Sequence, residues 1–203
     1  MNAPRLGRRT VLLGAPLLVT GLAGCVGSRP EPAPSASPDP LQLLRRGGAT
    51  LYLRHPETDW GGVDQPDWPR DEQRLLSAEG EAQAVWWARA FQNQGLTASE
   101  VLSSPSLRCQ DAAEIAFGEW EVEPALTANL AVPEGVEERA TRVRRLIATA
   151  PADGTLRVLI GHASNISAMT GTTITEGAGI LIPPEPQAAT AVVTIVDWEN
   201  WAA

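Results

Sequence analysis

Residues 49–55 read ATLYLRH and residues 156–162 read LRVLIGH, and these two stretches decide the fold. Each is a short, mainly apolar run that ends in a histidine, which is typical of a strand buried on both faces of a sheet. Between and around them, strand patterns alternate with helical patterns. This alternation predicts an α/β sandwich around a mainly parallel sheet.

The remaining elements follow from periodicity and from helix stop signals. Apolar residues at helical spacing predict a helix over residues 77–94 that stops at Gly95. Ser104 and Pro105 are typical of an N-cap followed by the first helical residue, so a second helix is expected from there to Gly118. Further helices are predicted over 136–150 and near 165–170, and further strands over 100–103 and 189–196.

The first 24 residues are typical of a secretory leader rather than of a folded domain. Arg5, Arg8 and Arg9 precede an apolar run over residues 11–23, which ends in the string LAGC. That run is shorter than the roughly 20 residues that a membrane-spanning helix needs. The string LAGC resembles a bacterial lipobox, which implies that Cys25 becomes the lipidated first residue. The string GRRTVLL also resembles a twin-arginine export signal.

Residues 25–40 are rich in Pro, Ser and Ala and contain almost no large apolar side chain. Such a composition favours an extended tether over a packed core. Residues 41–203 are long enough for one domain with its own core. We therefore expect a leader over 1–24, a tether over 25–40 and a folded domain over 41–203, anchored to a membrane outside the cytoplasm.

Charge and cysteine content narrow the range of partners. The formal net charge is −8 at pH 7, and the chain contains no lysine. An acidic protein is a poor ligand for nucleic acid, and any anionic substrate must be held by locally placed arginines. Two cysteines, Cys25 and Cys109, do not make a disulfide framework. Cys109 is expected to be a buried, inert thiol on a helix.

The chain has two histidines, and each directly follows a predicted strand. His55 is preceded by Arg54, His162 follows the second strand, and Arg108 lies in the first turn of the helix after residues 100–103. Ligands of open α/β sheets bind at the carboxyl ends of the strands, so these four side chains are expected to converge there. Arginine matches phosphate oxygens, and a neutral imidazole is a competent nucleophile at phosphorus.

Four strings strengthen this interpretation. LYLRHPETDW resembles the R-H-G-x-T signature of the histidine phosphatase superfamily, which includes phosphoglycerate mutases and phosphohistidine phosphatases. VLSSPSLRCQDAAEIA is similar to its S-S-P-x-x-R motif, RVLIGHASNI to its G-H motif and LSAEGEAQA to its L-S-x-x-G-x-x-Q-A helix. The strings occur in the family's order and cover residues 50–169. The chain thus resembles a bacterial lipoprotein member of branch 1.

The resemblance implies a phosphoglycerate mutase-like, three-layer α/β/α fold and specific roles for residues. His55 is expected to be the nucleophile, with Arg54, Arg108 and His162 as phosphate-clamping partners. Thr58 matches the hydroxyl of the signature and is expected to contact phosphate or the loop. Glu57 is a further expected contact to the substrate. No metal and no other cofactor is expected in this family.

Three departures from the family's pattern stand out. Pro56 replaces the usual glycine after the histidine and removes one backbone N–H. Ala112 replaces a threonine of the second motif, and Gly61 stands where mutase-like members have asparagine. The last change weakens a mutase interpretation.

The general acid is left open by the sequence. Mutase-like members keep a glutamate after the second motif, and the corresponding segment here reads LTANLAVPEGVEE. Glu134 is the leading candidate, while Glu137, Glu138 and Glu57 are alternatives. An acid for this role needs a raised pKa.

The sequence predicts a metal-independent phosphomonoester hydrolase that acts through a phosphohistidine outside the cytoplasm. Its expected partners are a small phosphorylated substrate or a phosphorylated envelope component, and a membrane held through the lipid at Cys25. The alternative is a catalytically inactive, anchored member of the same fold that binds phosphorylated ligands. No nucleic acid partner is expected.

Overall fold

The structure is a computed structural model that describes residues 40–152, 154–183 and the backbone of 191–193. All of these residues belong to the unit formed by residues 36–203. The expected leader, the tether up to residue 39 and the site of lipidation at Cys25 lie outside the described residues. No helix in the described part of the chain is long and apolar enough to cross a membrane.

The described residues form a six-stranded sheet. Its strands are β1 (Ala49–Arg54), β2 (Ala98–Ser103), β3 (Glu121–Val122), β4 (Leu156–Gly161), β5 (Gly179–Ile182) and β6 (Ala191–Val193). They lie in the order β3-β2-β4-β1-β5-β6. The first four in this order are mutually parallel, whereas β5 pairs antiparallel with β1 and with β6.

Five α-helices surround this sheet. They are α1 (Pro40–Arg46), α2 (Ala78–Gln94), α3 (Leu107–Phe117), α4 (Val136–Ala148) and α5 (Ala163–Thr170), and a 3₁₀ turn covers Pro124–Leu126. Successive side chains of a strand point to opposite faces. Leu51 and Leu53 of β1 accordingly pack in a cluster with α1, α2 and α3. Tyr52, between them, packs in the second cluster with α4 and α5. The three-layer α/β/α architecture is confirmed.

The boundaries of the main elements agree with the sequence patterns. Ser77 caps α2 by accepting a hydrogen bond from the Gly80 N–H, and Gly95 ends that helix in the left-handed conformation. Strand β1 ends at Arg54, directly before His55, and β4 ends at Gly161, directly before His162. Of the strand predicted over 189–196, the structure describes β6, and the other residues lie outside the described part.

The predicted start of the second helix is wrong by two residues. Ser106, not Ser104, is the N-cap of α3, and the helix begins at Leu107. Ser104 Oγ instead lies 2.9 Å from His162 Nε2 and accepts the Ser106 N–H. The hydroxyl is therefore used across the sheet rather than at a helix end. Strand β5 was not predicted, because four apolar residues in a Gly-rich context give too short a signal.

Candidate active site

The two histidines lie at the same edge of the sheet because their strands are parallel neighbours. Arg54, the last residue of β1, is in register with Gly161, the last residue of β4. The residue that follows each strand is a histidine. The register therefore places the two rings next to each other, with 5.4 Å between their centroids. The His55 N–H donates to the Gly161 carbonyl at 3.0 Å, which ties the two strand ends together.

His55 is held in one tautomer by its own loop. Its Nδ1 lies 2.8 Å from the carbonyl oxygen of Pro56. A carbonyl can only accept, so Nδ1 carries the proton and Nε2 keeps its lone pair. Burial, reinforced by the positive charge of Arg108, lowers the pKa of His55 to about 3. The backbone carbonyl of residue 56, which does not depend on the residue type, thus orients the imidazole.

His162 is fixed both by its ring and by its backbone. The Tyr52 hydroxyl donates to the His162 carbonyl at 3.0 Å and accepts from the His162 N–H at 2.9 Å. The ring lies with Nε2 at 2.9 Å from Ser104 Oγ and Nδ1 at 3.4 Å from Arg108 Nη2. Burial lowers the pKa of His162 well below its ordinary value, and the charge of Arg108 adds to this.

Arg108 lies in the first turn of α3 and is paired with a carboxylate inside the site. Its Nη1 lies 2.9 and 2.8 Å from the two carboxylate oxygens of Asp64. The side chains are only 3% and 2% exposed, respectively, so this ion pair is buried. The Arg108 Nε–H has no hydrogen-bond partner among the described residues.

Arg54 is held from the opposite side by the segment before β5. Its Nη1 donates to the Ile174 carbonyl at 3.0 Å, and its Nη2 donates to Glu176 at 2.9 Å. The Arg54 Nε–H, like that of Arg108, is buried without a partner in the described part of the chain. A buried donor without a partner is costly, so both arginines are held in place at the expense of one hydrogen bond each.

Arg74 is a third arginine of the site, which the sequence motifs did not indicate. It donates to the carbonyls of Trp60 and Gly62, at 2.8 and 3.1 Å, and to the Thr58 hydroxyl. Burial, followed by the charge of Arg108, lowers its pKa below the ordinary value. Arg74 thus fixes the loop that follows His55 and adds positive charge to the site.

These side chains enclose one pocket of about 110 Å³. The four residues expected to converge all line it, together with Arg74 and Asp64. The complete lining is Arg54, His55, Gly62, Val63, Asp64, Arg74, Arg108, Ala128, Leu130, Ala131, His162, Ala163 and Ser164. With both imidazoles neutral and Arg108 paired to Asp64, the remaining positive charge favours an anion.

Other residues expected at the site lie elsewhere. The Thr58 hydroxyl donates to the Trp60 carbonyl at 3.1 Å, which is a contact within the loop. Glu57 is exposed and accepts a hydrogen bond from the Ser77 hydroxyl at 2.8 Å. Glu134 is exposed, and its carbonyl accepts from Arg139 at 2.6 Å. Neither glutamate lines the pocket, so the structure does not bring Glu134 to the phosphate-sized space.

The pocket mouth is apolar, but its apolar side chains are not the tryptophans of the loop that follows His55. Trp60 and Trp68 are each 40% exposed and do not line the pocket. Val63 and Leu130 do line it, and they are 54% and 75% exposed. These two side chains lie where the non-phosphate part of a ligand would leave the pocket.

Gly80 explains the glycine of the L-S-x-x-G string. A Cβ on this residue would lie 2.0 Å from the carbonyl oxygen of Glu57. That carbonyl accepts the Ser77 N–H at 3.1 Å. The start of α2 can therefore pack directly on the loop of His55 only with glycine here.

Sequence reasoning missed Asp64, Arg74, Ser104 and Tyr52. Ser104 was contained in the quoted S-S-P string, and Asp64 in a polar loop, GGVDQPD, that follows the nucleophile motif. Nothing in their spacing distinguishes them from surface residues. Their importance arises from contacts across 44 and 58 residues of sequence, in the pairs Asp64–Arg108 and Ser104–His162.

Comparisons with known proteins agree with this geometry. Residues 51–131 match the model of the histidine phosphatase superfamily (branch 1). The match begins within β1, includes His55, Asp64 and Arg108, and ends before β4. A comparison with curated protein sequences gave no match.

Solved structures with the same fold have low sequence identity. The protein histidine phosphatase SixA, solved with tungstate, is 15% identical, with a TM-score of 0.52 over 73% of this chain and 98% of its own. The α-ribazole phosphatase of Shigella flexneri is 16% identical, with a TM-score of 0.51 over 72% and 95%. A protein of Mycobacterium tuberculosis is 17% identical, with a TM-score of 0.54 over 73% and 97%.

Proposed function

Since residues 51–131 match the model of the histidine phosphatase superfamily (branch 1), we propose that this chain is a member of that branch and hydrolyses phosphomonoesters through a phosphohistidine at His55. The observation that carries the proposal is the hydrogen bond from His55 Nδ1 to the Pro56 carbonyl. It leaves the Nε2 lone pair free in a pocket that also contains arginine donors. A nucleophile of this kind splits hydrolysis into two easier steps.

The charges around His55 favour attack on phosphorus. The lowered pKa of His55 keeps the imidazole unprotonated across the physiological range, because burial disfavours the imidazolium. Arg54 and Arg108 both line the pocket, so their guanidinium charges are placed beside a phosphoryl group that enters it. Donors fixed before the reaction stabilise charge in the transition state without reorganising.

His162 takes part as a neighbour of the phosphoryl group rather than as a second nucleophile. Its ring is tied to Ser104 and Arg108, and its backbone is tied to Tyr52. Both ring nitrogens of His162 already face protein groups, so His162 contributes by holding Arg108 and Ser104 in place beside the phosphoryl group. His55 retains its lone pair because its Nδ1–H already serves the Pro56 carbonyl.

The reaction balances in two steps. First, His55 Nε2 forms a bond to phosphorus while the bond from phosphorus to the leaving oxygen breaks, and that oxygen takes up the proton that the monoanionic ester carried into the site. Next, a water attacks the phosphohistidine, the N–P bond breaks and inorganic phosphate leaves. The net reaction consumes one water and needs no metal.

The setting proposed for this activity is the cell envelope. Support comes from the sequence of residues 1–40, with its leader, its LAGC string and its Pro-rich tether. An anchored domain would act on small phosphorylated compounds or on phosphorylated envelope components. Two of the structural neighbours are named as phosphatases, a protein histidine phosphatase and an α-ribazole phosphatase. At 15% and 16% sequence identity, these two neighbours support the fold of this chain. An assay against a set of phosphorylated compounds identifies its substrate.

Steady-state hydrolysis of 4-nitrophenyl phosphate tests the proposal. The full-length chain should release phosphate, EDTA should not reduce the rate, and His55→Ala should remove nearly all turnover. Ser99→Ala is a suitable control, because Ser99 lies outside the pocket on β2. If wild type and His55→Ala both bind vanadate and neither turns over any phosphomonoester, the chain is the inactive phospho-ligand-binding member instead.

A further inference from the structure

The pocket contains one carboxylic acid among its described lining residues, Asp64. It lies on the loop between β1 and α2, and its carboxylate is 2% exposed. Both of its oxygens contact Nη1 of Arg108, and one also accepts the Arg74 backbone N–H at 2.9 Å. The glutamates that the sequence offered as acids are exposed and lie outside the pocket.

The loop holds Asp64 firmly in this position. Gln73 donates to the carbonyls of Pro66 and Trp68, at 3.1 and 2.8 Å, and accepts the Leu107 N–H at 3.1 Å. Arg74 spans the same loop from its other end. The loop is thereby joined to the first turn of α3, from which Arg108 extends. The same set of hydrogen bonds, centred on Gln73, therefore positions both Asp64 and Arg108.

A bound phosphomonoester changes the electrostatics of this pair. The arginine that Asp64 neutralises is one that the phosphoryl group also needs. Two anions beside one buried guanidinium repel each other strongly, and a proton on one of them relieves the repulsion. A monoanionic ester can supply that proton as it enters and become a dianion beside a neutral Asp64.

We propose that Asp64 is the general acid that protonates the leaving oxygen, and that it takes up this proton together with the substrate. The inference rests on the proposed phosphatase activity and names the acid of that same site. As the bond from phosphorus to the leaving oxygen breaks and His55 Nε2 bonds to phosphorus, the Asp64 O–H breaks and the alcohol O–H forms. In the second step, the Asp64 carboxylate accepts the proton of the attacking water.

Two features separate this role from that of a structural ion pair. Asp64 lines the space where a phosphoryl group fits, whereas the Arg70–Asp111 pair lies outside it with an exposed arginine. Asp64 is also next to Val63, which is exposed at the pocket mouth where a leaving group would emerge. The acid is therefore adjacent to the path of the group that it protonates.

The test compares kcat/KM of Asp64→Asn on esters that differ in their leaving group. General acid catalysis contributes about 10²–10⁴-fold where the leaving group is poor. Asp64→Asn should lower kcat/KM for phenyl phosphate and for an alkyl phosphate by a factor in this range. Hydrolysis of 4-nitrophenyl phosphate, whose leaving group needs no proton, should fall much less. Asp111→Asn makes the same chemical change in the exposed pair and should leave all three rates unchanged.

If Asp64→Asn lowered kcat/KM equally on all three esters, the inference would be overturned. A rise in kcat/KM on all three would also overturn it, because Asp64 would then only compete with the substrate for Arg108. A selective loss in Glu134→Gln, absent from Asp64→Asn, would also overturn it. If Asp64→Asn does not fold, a solvent isotope effect measured on the wild-type protein still tests the inference. Its phosphorylation step with phenyl phosphate should be slower in D₂O, and an isotope-independent step would contradict the role. If the wild type hydrolyses no ester, the proposed function fails first and this inference falls with it.

Discussion

The rings of His55 and His162 meet edge to face, with 5.4 Å between their centroids and 61° between their planes. Two imidazolium ions would repel each other at this separation, and both rings are also near arginines. Burial keeps both neutral by lowering their pKa values. The structure thus places an unprotonated nitrogen beside fixed positive charge, which is what attack on a phosphate ester requires.

The lowered pKa of His55 predicts a loss of stability in acid. In the unfolded chain His55 takes up a proton near pH 6.5, whereas in the folded protein it does so only near about 3. Stability is therefore fully present above pH 6.5 and falls as the pH drops towards 3, because the unfolded state binds more protons. The slope from this one group is about 1.4 kcal/mol per pH unit.

Urea denaturation at pH 6 and at pH 4 measures this slope. His55→Gln should show a shallower decline of the free energy of unfolding, by about 1 kcal/mol per pH unit. An unchanged slope in the variant would show that the imidazole is not kept neutral by its site.

Arg108→Ala is expected to reduce both activity and stability. Loss of one donor to transition-state charge costs about 10²–10³ in kcat. Removal of one partner of a buried ion pair costs about 3–5 kcal/mol, because the carboxylate of Asp64 is left unpaired. Adding Asp64→Ala should restore part of the melting temperature and none of the activity. If the double variant regains turnover, Arg108 does not act on the substrate.

Tyr52→Phe tests how firmly His162 must be held. The change keeps the ring and removes one hydroxyl that serves both the N–H and the carbonyl of His162. Leaving such buried groups unpaired costs about 1–3 kcal/mol each. Thermal unfolding should reveal the loss, and kcat should fall while KM changes little. A variant with unaltered stability and rate would show that this hydroxyl does not position His162.

Cys25→Ala tests the expected lipid anchor. The substitution should release the protein from the membrane fraction or leave its leader uncleaved, as seen by fractionation and by mass. Ser28→Ala, three residues further on, is the matched control and should remain in the membrane fraction. A processed Cys25→Ala chain of wild-type size that still fractionates with membranes would contradict the lipoprotein assignment. Stable anchoring needs more than one acyl chain, since a single chain binds only marginally.

Much of the site could be predicted because its residues lie at strand ends. Arg54, His55 and His162 directly follow apolar runs, and parallel strands bring such positions to one edge. Asp64 could not be predicted in the same way. Its role depends on the path of the loop over residues 59–76, which is fixed by hydrogen bonds of Gln73 and Arg74 and not by periodicity.

The start of α3 and the strand β5 illustrate two further limits. The string SSPS offers three serines as possible caps, and the choice among them depends on which hydroxyl His162 uses. Strand β5 has four residues, and its assignment depends on pairing with β1. Both outcomes are set by contacts between distant parts of the chain, which local patterns do not contain.

Rapid-quench labelling tests the central claim most directly. After milliseconds with a ³²P-labelled phosphomonoester, the wild-type chain should carry label on His55, and peptide mapping should locate it there rather than on His162. The bond should be labile in acid and stable in base, as expected of a phosphohistidine and not of a phosphoserine. His55→Ala should carry no label and should not turn over. Near-normal turnover by His55→Ala, or label on any other residue, would contradict the account.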